Sequence, residues 1–199
     1  MEKQLIISIG REFGSGGHEI AEMLAKHFSI HLYDKRLLDD IAQAKQVDSK
    51  TLEKYDEKPR NKWLTRSLYG YFQSMEENLA NMQFEYIKNK ADQGESFVVV
   101  GRCAETILKN HPALISIFVL GDWESKIGRV IRLYNLSKED AETFTNRQDS
   151  KRKHYHNYYC KQKWGDSRNY DVAINSSKLG EELTADMLVD YITKRQEMR

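Results

Sequence analysis

The sequence predicts a doubly wound α/β fold built on a parallel sheet of about five strands. Short apolar runs of strand length recur along the chain, and most are followed by residues with helical periodicity. Apolar runs without polar alternation are typical of strands buried on both faces, as parallel strands are. The alternation of strands and helices then places helices on both faces of the sheet. A glycine-rich turn between the first run and the first helix adds a further clue.

Five runs are the predicted strands. The apolar runs of strand length cover residues 5–9, 97–100, 114–120 and 172–174, and residues 31–34 form the weakest run. Lengths of this order fit strands rather than helices. Each run is therefore interpreted as one strand of the sheet.

Helical periodicity follows four of these runs. Apolar residues recur there at three- and four-residue spacing, as on the buried face of an amphipathic helix. The residues that mark these faces are Ile20, Met23, Leu24 and Ala25, then Ile107 and Leu108, then Ile127, Val130, Ile131 and Tyr134, and finally Leu183, Met187, Leu188 and Ile192. This pattern supports the doubly wound arrangement.

Two long segments lack predicted strands. Residues 48–94 carry apolar side chains at helical spacing and are predicted to form a helical insertion. Residues 137–165 are helical and very polar, and Ser137, with acidic residues close behind it, is a favourable start for that helix. We interpret the 199 residues as a single domain that contains both segments, because this length is about one domain.

Charge and composition exclude several classes of protein. The sequence has 31 Lys and Arg against 30 Asp and Glu, so its overall charge does not favour an acidic partner. The two cysteines, Cys103 and Cys160, are too few for a disulfide scaffold, and residues 1–4 lead into a strand rather than a signal sequence. No apolar run approaches the roughly 18 residues of a membrane helix. We therefore expect a cytoplasmic protein with no membrane partner.

The turn after the first strand has the clearest chemical meaning. It places Gly14, Gly16 and Gly17 within four residues, between a buried strand and an amphipathic helix. Backbone N–H groups at the start of a helix bind phosphate, and glycine allows a close approach to them. The usual phosphate loop ends in Gly-Lys-Ser/Thr, whereas Gly17 and His18 follow Gly16 here. Taken alone, the loop is either a phosphate site or a tight turn that needs glycine for its backbone.

The order of motifs along nearly the whole chain resembles that of nucleoside monophosphate kinases, and most closely the cytidylate kinase-like family. After the glycine loop come Asp34 in HLYDKRLL and the pair Gly101 and Arg102 in VVVGRCAETIL. A helix with Lys126 and Arg129 in WESKIGRVIR follows. A basic segment, NRQDSKRKHY, and a last strand, DVAINSS, complete the order.

The resemblance implies a phosphate-loop kinase fold in which residues 48–94 cover the acceptor and residues 137–165 form a lid. It implies ATP as phosphoryl donor, Mg²⁺ as its counter-ion and a nucleoside monophosphate as acceptor, with CMP and dCMP as first candidates. Asp34 and Arg102 are assigned to acceptor binding. The residues assigned to nucleotide binding are Gly14, Ser15, Gly16, Gly17, His18, Lys126 and Arg129.

The loop departs from the family pattern at two positions. Gly17 stands where the family has its lysine, and His18 stands where it has a hydroxyl residue. Phosphoryl transfer depends on positioning and charge neutralisation, so another cation must replace the lysine. We hypothesise that Arg11 replaces it and that Arg147 and Arg152 of the lid assist, which makes these three arginines the predicted catalytic set. No protein ligand for a metal is predicted, because histidine is a poor Mg²⁺ ligand and the ion is expected to be held by phosphates and water.

Purely structural roles compete with several of these site assignments. The aromatic residues of the insertion are interpreted as core rather than as base-stacking groups; they are Trp63, Tyr69, Tyr71 and Phe72. The competing roles elsewhere are an ion pair of Arg11 with Glu12 or Glu19, an ion pair of Arg102 with Glu105, a helix cap at Asp34 and a simple helix-start role for His18.

The basic segment within residues 137–165 also leaves several interpretations open. Cations interleaved with aromatic rings are typical of single-stranded nucleic-acid binding, although the near-neutral overall charge makes nucleic acid an unexpected partner. His154, His156 and Cys160 are zinc-ligand types, but no fourth ligand is evident. A solvated basic helix face is the third interpretation.

The functional expectation is ATP-dependent phosphoryl transfer to a small nucleotide substrate. An acceptor phosphate oxygen can attack directly, so neither a covalent intermediate nor a general base is required. A catalytically silent nucleotide-binding or regulatory module and a kinase of another small-molecule acceptor compete with this expectation. The fold alone does not decide among them.

Overall fold

Five parallel strands form one sheet in the computed structural model, which describes residues 3–34, 36–45 and 75–199. The strands are β1 (Ile6–Arg11), β2 (His31–Tyr33), β3 (Phe97–Val100), β4 (Leu114–Leu120) and β5 (Val172–Asn175). Their order across the sheet is β2-β3-β1-β4-β5, and every neighbouring pair is parallel. The predicted fold class is confirmed, and each predicted strand lies within two residues of its observed bounds.

Helices cover the sheet as the periodicity predicts, with one difference. The described helices are α1 (Gly17–His27), α2 (Leu37–Lys45), α3 (Met75–Asp92), α4 (Ala104–Ile107), α5 (Trp123–Tyr134), α6 (Lys138–Cys160) and α7 (Gly180–Glu197). The helix predicted from Ile107 and Leu108 is only the single turn α4. It ends at Leu108, whose φ of −107° departs from helical values.

Alternate side chains of the central strands supply two separate cores. On one face, Ile6 and Phe97 pack with residues of α2 and α3, among them Leu37 and Ile87. The opposite core joins residues of β1, β3 and β4 to α1 and α7. Because successive residues of a strand point to opposite faces, a strand buried on both sides must be apolar throughout. This requirement is why the strands were evident in the sequence.

The two long strand-free segments each contain a helix in the described part of the chain. Helix α3 lies within the predicted insertion, while residues 46–74, which include the aromatic residues Trp63, Tyr69, Tyr71 and Phe72, lie outside the described residues. Helix α6 lies within residues 137–165 and begins as predicted, since the Ser137 hydroxyl accepts a hydrogen bond from the Asp140 N–H group at 3.1 Å. None of the described helices is long and apolar enough to cross a membrane.

The carboxyl ends of the central strands meet at one edge of the sheet. Strand β1 lies between β3 and β4 and pairs with β4 as far as Arg11, and the Glu12 N–H group extends this ladder to the Val119 carbonyl at 3.0 Å. The glycine loop and the Gly101-Arg102 turn therefore leave the sheet side by side. Open α/β sheets bind their ligands at such a point.

The core position of β4 can be tested with Ile117→Ala. Ile117 is fully buried, so its truncation leaves a cavity, and we expect the free energy of unfolding to fall by about 2–5 kcal/mol. Leu183→Ala on α7, where the residue is 58% exposed, is the matched control, with an expected change below about 0.5 kcal/mol. Denaturant unfolding measures both values, and equal losses would contradict this placement of β4.

Candidate functional site

The glycine loop connects β1 to α1 and runs close to two other parts of the chain. Gly14 and Gly16 both have a φ of +76°, a left-handed conformation that glycine adopts without steric cost. A Cβ atom at Gly14 would lie 2.9 Å from the Lys126 carbonyl oxygen, and one at Gly16 would lie 2.6 Å from Cγ of Glu181. Backbone conformation and packing therefore both require glycine at these positions.

The loop ends at the N-terminus of α1. No described side chain caps this helix at Gly16, and its first internal hydrogen bond runs from the Ile20 N–H group to the Gly16 carbonyl at 3.0 Å. The N–H groups of residues 17–19 precede that bond, at the positive end of the helix dipole. This arrangement can bind an anion such as phosphate.

Arg11 lies across the end of the sheet, over two glycines. A Cβ atom at Gly17 would lie 2.7 Å from the Arg11 Cβ, and one at Gly101 would collide with Nη1 of the same arginine. Arg152 of α6 reaches this position as well, and its Nη1 donates to the Arg11 carbonyl at 3.4 Å. The Arg11 stem thus occupies the space that a side chain at position 17 would need.

A cleft of about 260 Å³ opens beside the loop. Cationic and anionic groups share its wall with apolar side chains, among them Phe13, Val130 and Leu133. The lining residues that bear on binding are Arg11, Gly14, Gly16, Gly17, His18, Asp34, Arg129 and Arg152. The cleft therefore brings together predicted nucleotide-binding, acceptor-binding and catalytic residues.

Lys126 is buried below this cleft in a network of charges. Its Nζ lies 3.0 Å from Glu12 Oε2 and 3.1 Å from Asp149 Oδ2. The two carboxylates also hold backbone groups, since Glu12 accepts from the Gly121 N–H group at 3.2 Å and Asp149 accepts from the Phe13 N–H group at 2.6 Å. One ammonium group thereby connects the glycine loop with α5 and α6. Sequence reasoning assigned no role to Asp149, because an acidic residue in a polar helix carries no pattern that distinguishes a buried position.

Arg129 is the second cation predicted to bind nucleotide. Its Nη2 lies 3.0 Å from Glu19 Oε1, and its Nη1 contacts Glu181. It lines the cleft, whereas Lys126 is not among the lining residues. Nucleotide binding by Arg129 and Lys126 remains a prediction, but both cations already hold carboxylates in this structure.

Asp34 closes β2 and faces the cleft, with His18 beside it. Its Oδ1 accepts hydrogen bonds from the Arg36 N–H group at 2.8 Å and from the Arg36 Nε at 3.2 Å. Burial acts to raise the pKa of Asp34, but these hydrogen bonds outweigh it and hold the pKa below its usual value. His18 Nε2 lies 3.8 Å from Asp34 Oδ2 and 3.4 Å from Glu22. The side chain thus keeps its charge at the cleft while also organising the turn before α2.

Arg102 is buried in a strained turn after β3. Arg102 and Cys103 have φ values of +58° and +54°, which are left-handed and uncommon for residues with a side chain. Arg102 lines a second cavity, of about 30 Å³, together with Arg11 and Arg152. Strained backbone of this kind is concentrated at functional sites. The structure therefore places Arg102 behind the cleft rather than in its wall.

Helix α6 presents one continuous face to these groups. Residues three or four apart lie on the same side of a helix. Those turned inward are Ala141, Thr145, Asp149, Arg152, His156 and Cys160. Of the two lid arginines predicted to be catalytic, Arg152 lines the cleft and Arg147 is exposed.

A buried polar cluster lies at the far end of this face. His156 Nε2 lies 2.8 Å from Glu105 Oε1, and Cys160 Sγ lies 3.8 Å from the same oxygen. Burial acts to lower the pKa of His156, but hydrogen bonds to Cys160 and Glu105 raise it to about 10. A hydrogen bond with Cys103 and another with His156 lower the pKa of the Cys160 thiol to about 6 in spite of burial.

This cluster corrects two interpretations of the sequence. His154 is exposed and bonded through Nδ1 to the Ser150 carbonyl at 2.7 Å, so it does not join His156 and Cys160 in a zinc site. Glu105, and not His154, lies beside His156 and Cys160. The sequence suggested Glu105 only as a partner of Arg102. A one-turn helix gives no periodic signal that could have revealed this contact.

Sequence comparison relates the chain to one family. Residues 6–178 match the profile of the cytidylate kinase-like family. The crystal structure of an uncharacterized protein from Eubacterium ventriosum is 40% identical to the chain, covers 96% of it and 99% of its own length, and has a TM-score of 0.76. No curated protein matches the chain at a significant level.

The fold is shared with shikimate kinases of low sequence identity. The enzyme from Bacteroides thetaiotaomicron has a TM-score of 0.56 at 10% identity, with 95% of this chain and 98% of that chain covered. The enzyme from Acinetobacter baumannii, solved in complex with shikimate, has a TM-score of 0.56 at 13% identity, with 97% and 95% covered. The five-stranded parallel sheet and its flanking helices thus have the same fold as these kinases.

The charge network around Lys126 can be tested with Lys126→Met. Without the ammonium group, the Glu12 and Asp149 carboxylates would face each other with no compensating charge, so we expect the free energy of unfolding to fall by about 3 kcal/mol or more. Lys138→Met is the control, because Lys138 is 62% exposed and its ion pairs lie at the surface. Denaturant unfolding at neutral pH measures both; similar small losses would show that Lys126 does not hold the loop and the helices together.

Proposed function

Because the chain belongs to the cytidylate kinase-like family, we propose that it transfers the γ-phosphoryl group of ATP to a nucleoside monophosphate, CMP and dCMP being the acceptors to test first. The family and fold are those of nucleotide-binding, kinase-like proteins. The observation that carries the proposal is that Arg11, Arg129 and Arg152 line one cleft beside the start of α1. Guanidinium groups and helix N–H groups that face one cavity suit a polyphosphate.

We assign to Arg11 the role that a lysine has in the usual phosphate loop. The Arg11 side chain passes so close to Gly17 that a Cβ atom there would collide with it. Residue 17 must therefore be glycine because the Arg11 stem fills the space. The guanidinium group itself lies against Gly101 after β3, so its charge would approach bound phosphates from the strand side instead of the helix side. Its planar group can bridge two phosphate oxygens, whereas a lysine offers a point charge.

Arg152 is our candidate for stabilising charge at the transferred group. It lies on the inward face of α6, within the cleft wall, and 5.2 Å separates its guanidinium carbon from the centre of the Phe13 ring. Contact with an aromatic ring fixes the plane of a guanidinium group. A fixed cation costs little reorganisation when charge develops in the transition state.

Asp34 and Arg102 are proposed to serve the acceptor. Asp34 is a charged carboxylate in the cleft wall, suited to a sugar hydroxyl or to a metal-bound water. Arg102 follows β3 and lies beside Arg11 and Arg152, so it would add a third cation to an acceptor phosphate bound on the cleft side of these two arginines. Helix α3 packs against α2 and α4 on this face of the sheet.

Mg²⁺ is expected to accompany ATP and to neutralise part of its phosphate charge. The loop provides little for the ion, because the Ser15 hydroxyl is buried and donates to the Glu12 carbonyl at 2.9 Å. Among the cleft residues, Asp34 offers the carboxylate oxygen that Mg²⁺ prefers. Phosphate oxygens and water would thus supply most of the ligands.

A nucleotide-binding protein without turnover is the second candidate. The observation that favours it is the loop itself, which has neither a lysine nor a hydroxyl group turned to the cleft among the residues described from Glu12 to His18. Such a protein would bind ATP through the same cleft and use binding alone for regulation. Turnover distinguishes the two candidates.

The proposed reaction predicts ADP formation from Mg-ATP in the presence of CMP or dCMP. Arg152→Ala should lower turnover by about 10³-fold, since an arginine at a transferring phosphoryl group contributes 10³–10⁵ in rate. Lys151→Ala, an exposed neighbour on α6, should leave turnover unchanged. ADP release is measured with a panel of ribo- and deoxynucleoside monophosphates and with shikimate as an unrelated acceptor.

Each other outcome of this panel has a defined meaning. Tight ATP binding without ADP formation favours the nucleotide-binding protein without turnover. ADP formation with shikimate alone would show that the acceptor is not a nucleoside monophosphate. Salt-sensitive RNA binding without ATP binding favours the nucleic-acid interpretation. An equal loss in Lys151→Ala would remove the special role of Arg152, and Arg147→Ala decides whether the exposed lid arginine contributes.

The proposal that Arg11 replaces the lysine of the usual phosphate loop can be tested by moving the cation back to position 17. Arg11→Ala should weaken ATP binding and lower turnover by at least about 10²-fold, because the loop loses its cation. Gly17→Lys in the natural background should also be damaging, since the new side chain would meet the Arg11 stem. The double variant Arg11→Gly/Gly17→Lys, which also removes the Arg11 Cβ that lies 2.7 Å from a Cβ at position 17, should recover part of the activity that Arg11→Gly alone loses. Unchanged kinetics in Arg11→Ala would refute the proposal.

A further inference from the structure

We propose that Glu105, His156 and Cys160 form a binding site for a divalent transition metal, with Zn²⁺ as the ion that fits the ligands best. Zinc combines imidazole nitrogen, thiolate sulfur and carboxylate oxygen in four-coordinate sites. None of the three ligand residues lines the cleft, and binding of the metal is measured without ATP or turnover, so the two proposals can be tested independently.

The distances suit a metal ion with small adjustments. One potential ligand atom from each residue lies within 4.8 Å of the other two. His156 Nε2 and Glu105 Oε1 are 2.8 Å apart, and Cys160 Sγ is 3.8 Å from that oxygen. With zinc bonds of about 2.0–2.3 Å, tetrahedral ligands stand roughly 3.3–3.8 Å apart. Shifts below about 1 Å therefore open the cluster around an ion.

Burial of these polar groups favours the binding of a cation. The Glu105 and His156 side chains are 3% and 7% exposed, and Cys160 is buried beside Tyr155 and Ala80. Polar and charged groups are costly in such surroundings unless they are fully compensated. A divalent ion with one carboxylate, one thiolate and a neutral imidazole makes a neutral unit. It would replace the proton shared by the imidazole and the carboxyl group, and the proton of the Cys160 thiol would leave to solvent.

A fourth ligand position exists next to the three. Cys103, Glu105 and His156 line the cavity of about 30 Å³, which is large enough for a water molecule. Cys103 also belongs to the same packed cluster as Cys160. The fourth ligand is therefore either water or the Cys103 thiolate.

The positions of the ligands indicate what the ion would do. His156 and Cys160 are four residues apart on the inward face of α6, and Glu105 is on α4, directly after the strained Arg102-Cys103 turn. An ion bound to all three residues would link α6 to α4 through coordination bonds, one helical turn from Arg152. We thus assign it the role of fixing α6 against the turn that holds Arg102.

The test uses the full chain in reduced form, stripped of metal with a chelator and then titrated with Co²⁺ and Zn²⁺. We expect saturable, equimolar uptake of Co²⁺ with the visible absorption of a tetrahedral ion and a thiolate-to-cobalt charge-transfer band. Zn²⁺ should displace Co²⁺ and raise the melting temperature by several degrees, because an ion that binds only the native state stabilises it. Absence of saturable uptake by the reduced protein would overturn the proposal.

Variants assign the signal to the three residues. Cys160→Ser should weaken Zn²⁺ binding by at least about 10-fold and should abolish the charge-transfer band where water is the fourth ligand; a reduced band that Cys103→Ser then removes identifies Cys103 as that ligand. Glu105→Gln, an isosteric change, should weaken binding as well. His154→Gln is the matched control, because His154 is on the same helix but exposed, and it should keep both the spectrum and the melting shift. Circular dichroism of the metal-free variants confirms their fold. A full spectrum in both Cys160→Ser and Glu105→Gln would overturn the assignment.

Discussion

The ammonium group of Lys126 is enclosed by protein and shared between the carboxylates of Glu12 and Asp149. An ion can be buried only where opposite charge and hydrogen bonds replace its water, so these three side chains must stay together in the native state. They come from the glycine loop, α5 and α6. Since Asp149 also accepts from the Phe13 N–H group, the same network fixes the backbone of the loop. The cleft thus exists only when all three elements are in place.

With the loop and α6 held in this way, the arrangement of arginines follows. Arg152 is one turn beyond Asp149 on the same helical face, which directs it to the Arg11 carbonyl and the cleft. Gly14 permits the loop to touch the Lys126 carbonyl, and Gly17 leaves space for Arg11. Position 17 therefore has no room for a lysine side chain as long as residue 11 is an arginine. Our assignment of a catalytic role to Arg11 rests on this packing.

Much of the fold could be predicted from the sequence, but the inner part of the site could not. The strands β3 and β4 are apolar because they are buried on both faces, and the glycines of the loop stand out because few other contexts concentrate them so. Asp149, His156 and Glu105 gave no such signal. Their inward orientation depends on contacts far apart in the chain, such as those of Asp149 with Phe13 and of His156 with Glu105, and a polar residue in a polar helix has the same pattern whether it faces water or a buried charge. Arg147 and Arg152 were indistinguishable for the same reason.

The long separations within the charge network have a consequence for how the chain matures. Glu12 and Lys126 are 114 residues apart, and Phe13 and Asp149 are 136 residues apart. Contacts between such distant positions form late, because the intervening chain must first be ordered. On a ribosome, the glycine loop is made well before its partner on α6, since Asp149 follows Phe13 by 136 residues. The chain should therefore acquire its phosphate-binding geometry only after α6 has been made, so that a product that ends before α6 contains the glycine loop but no formed cleft.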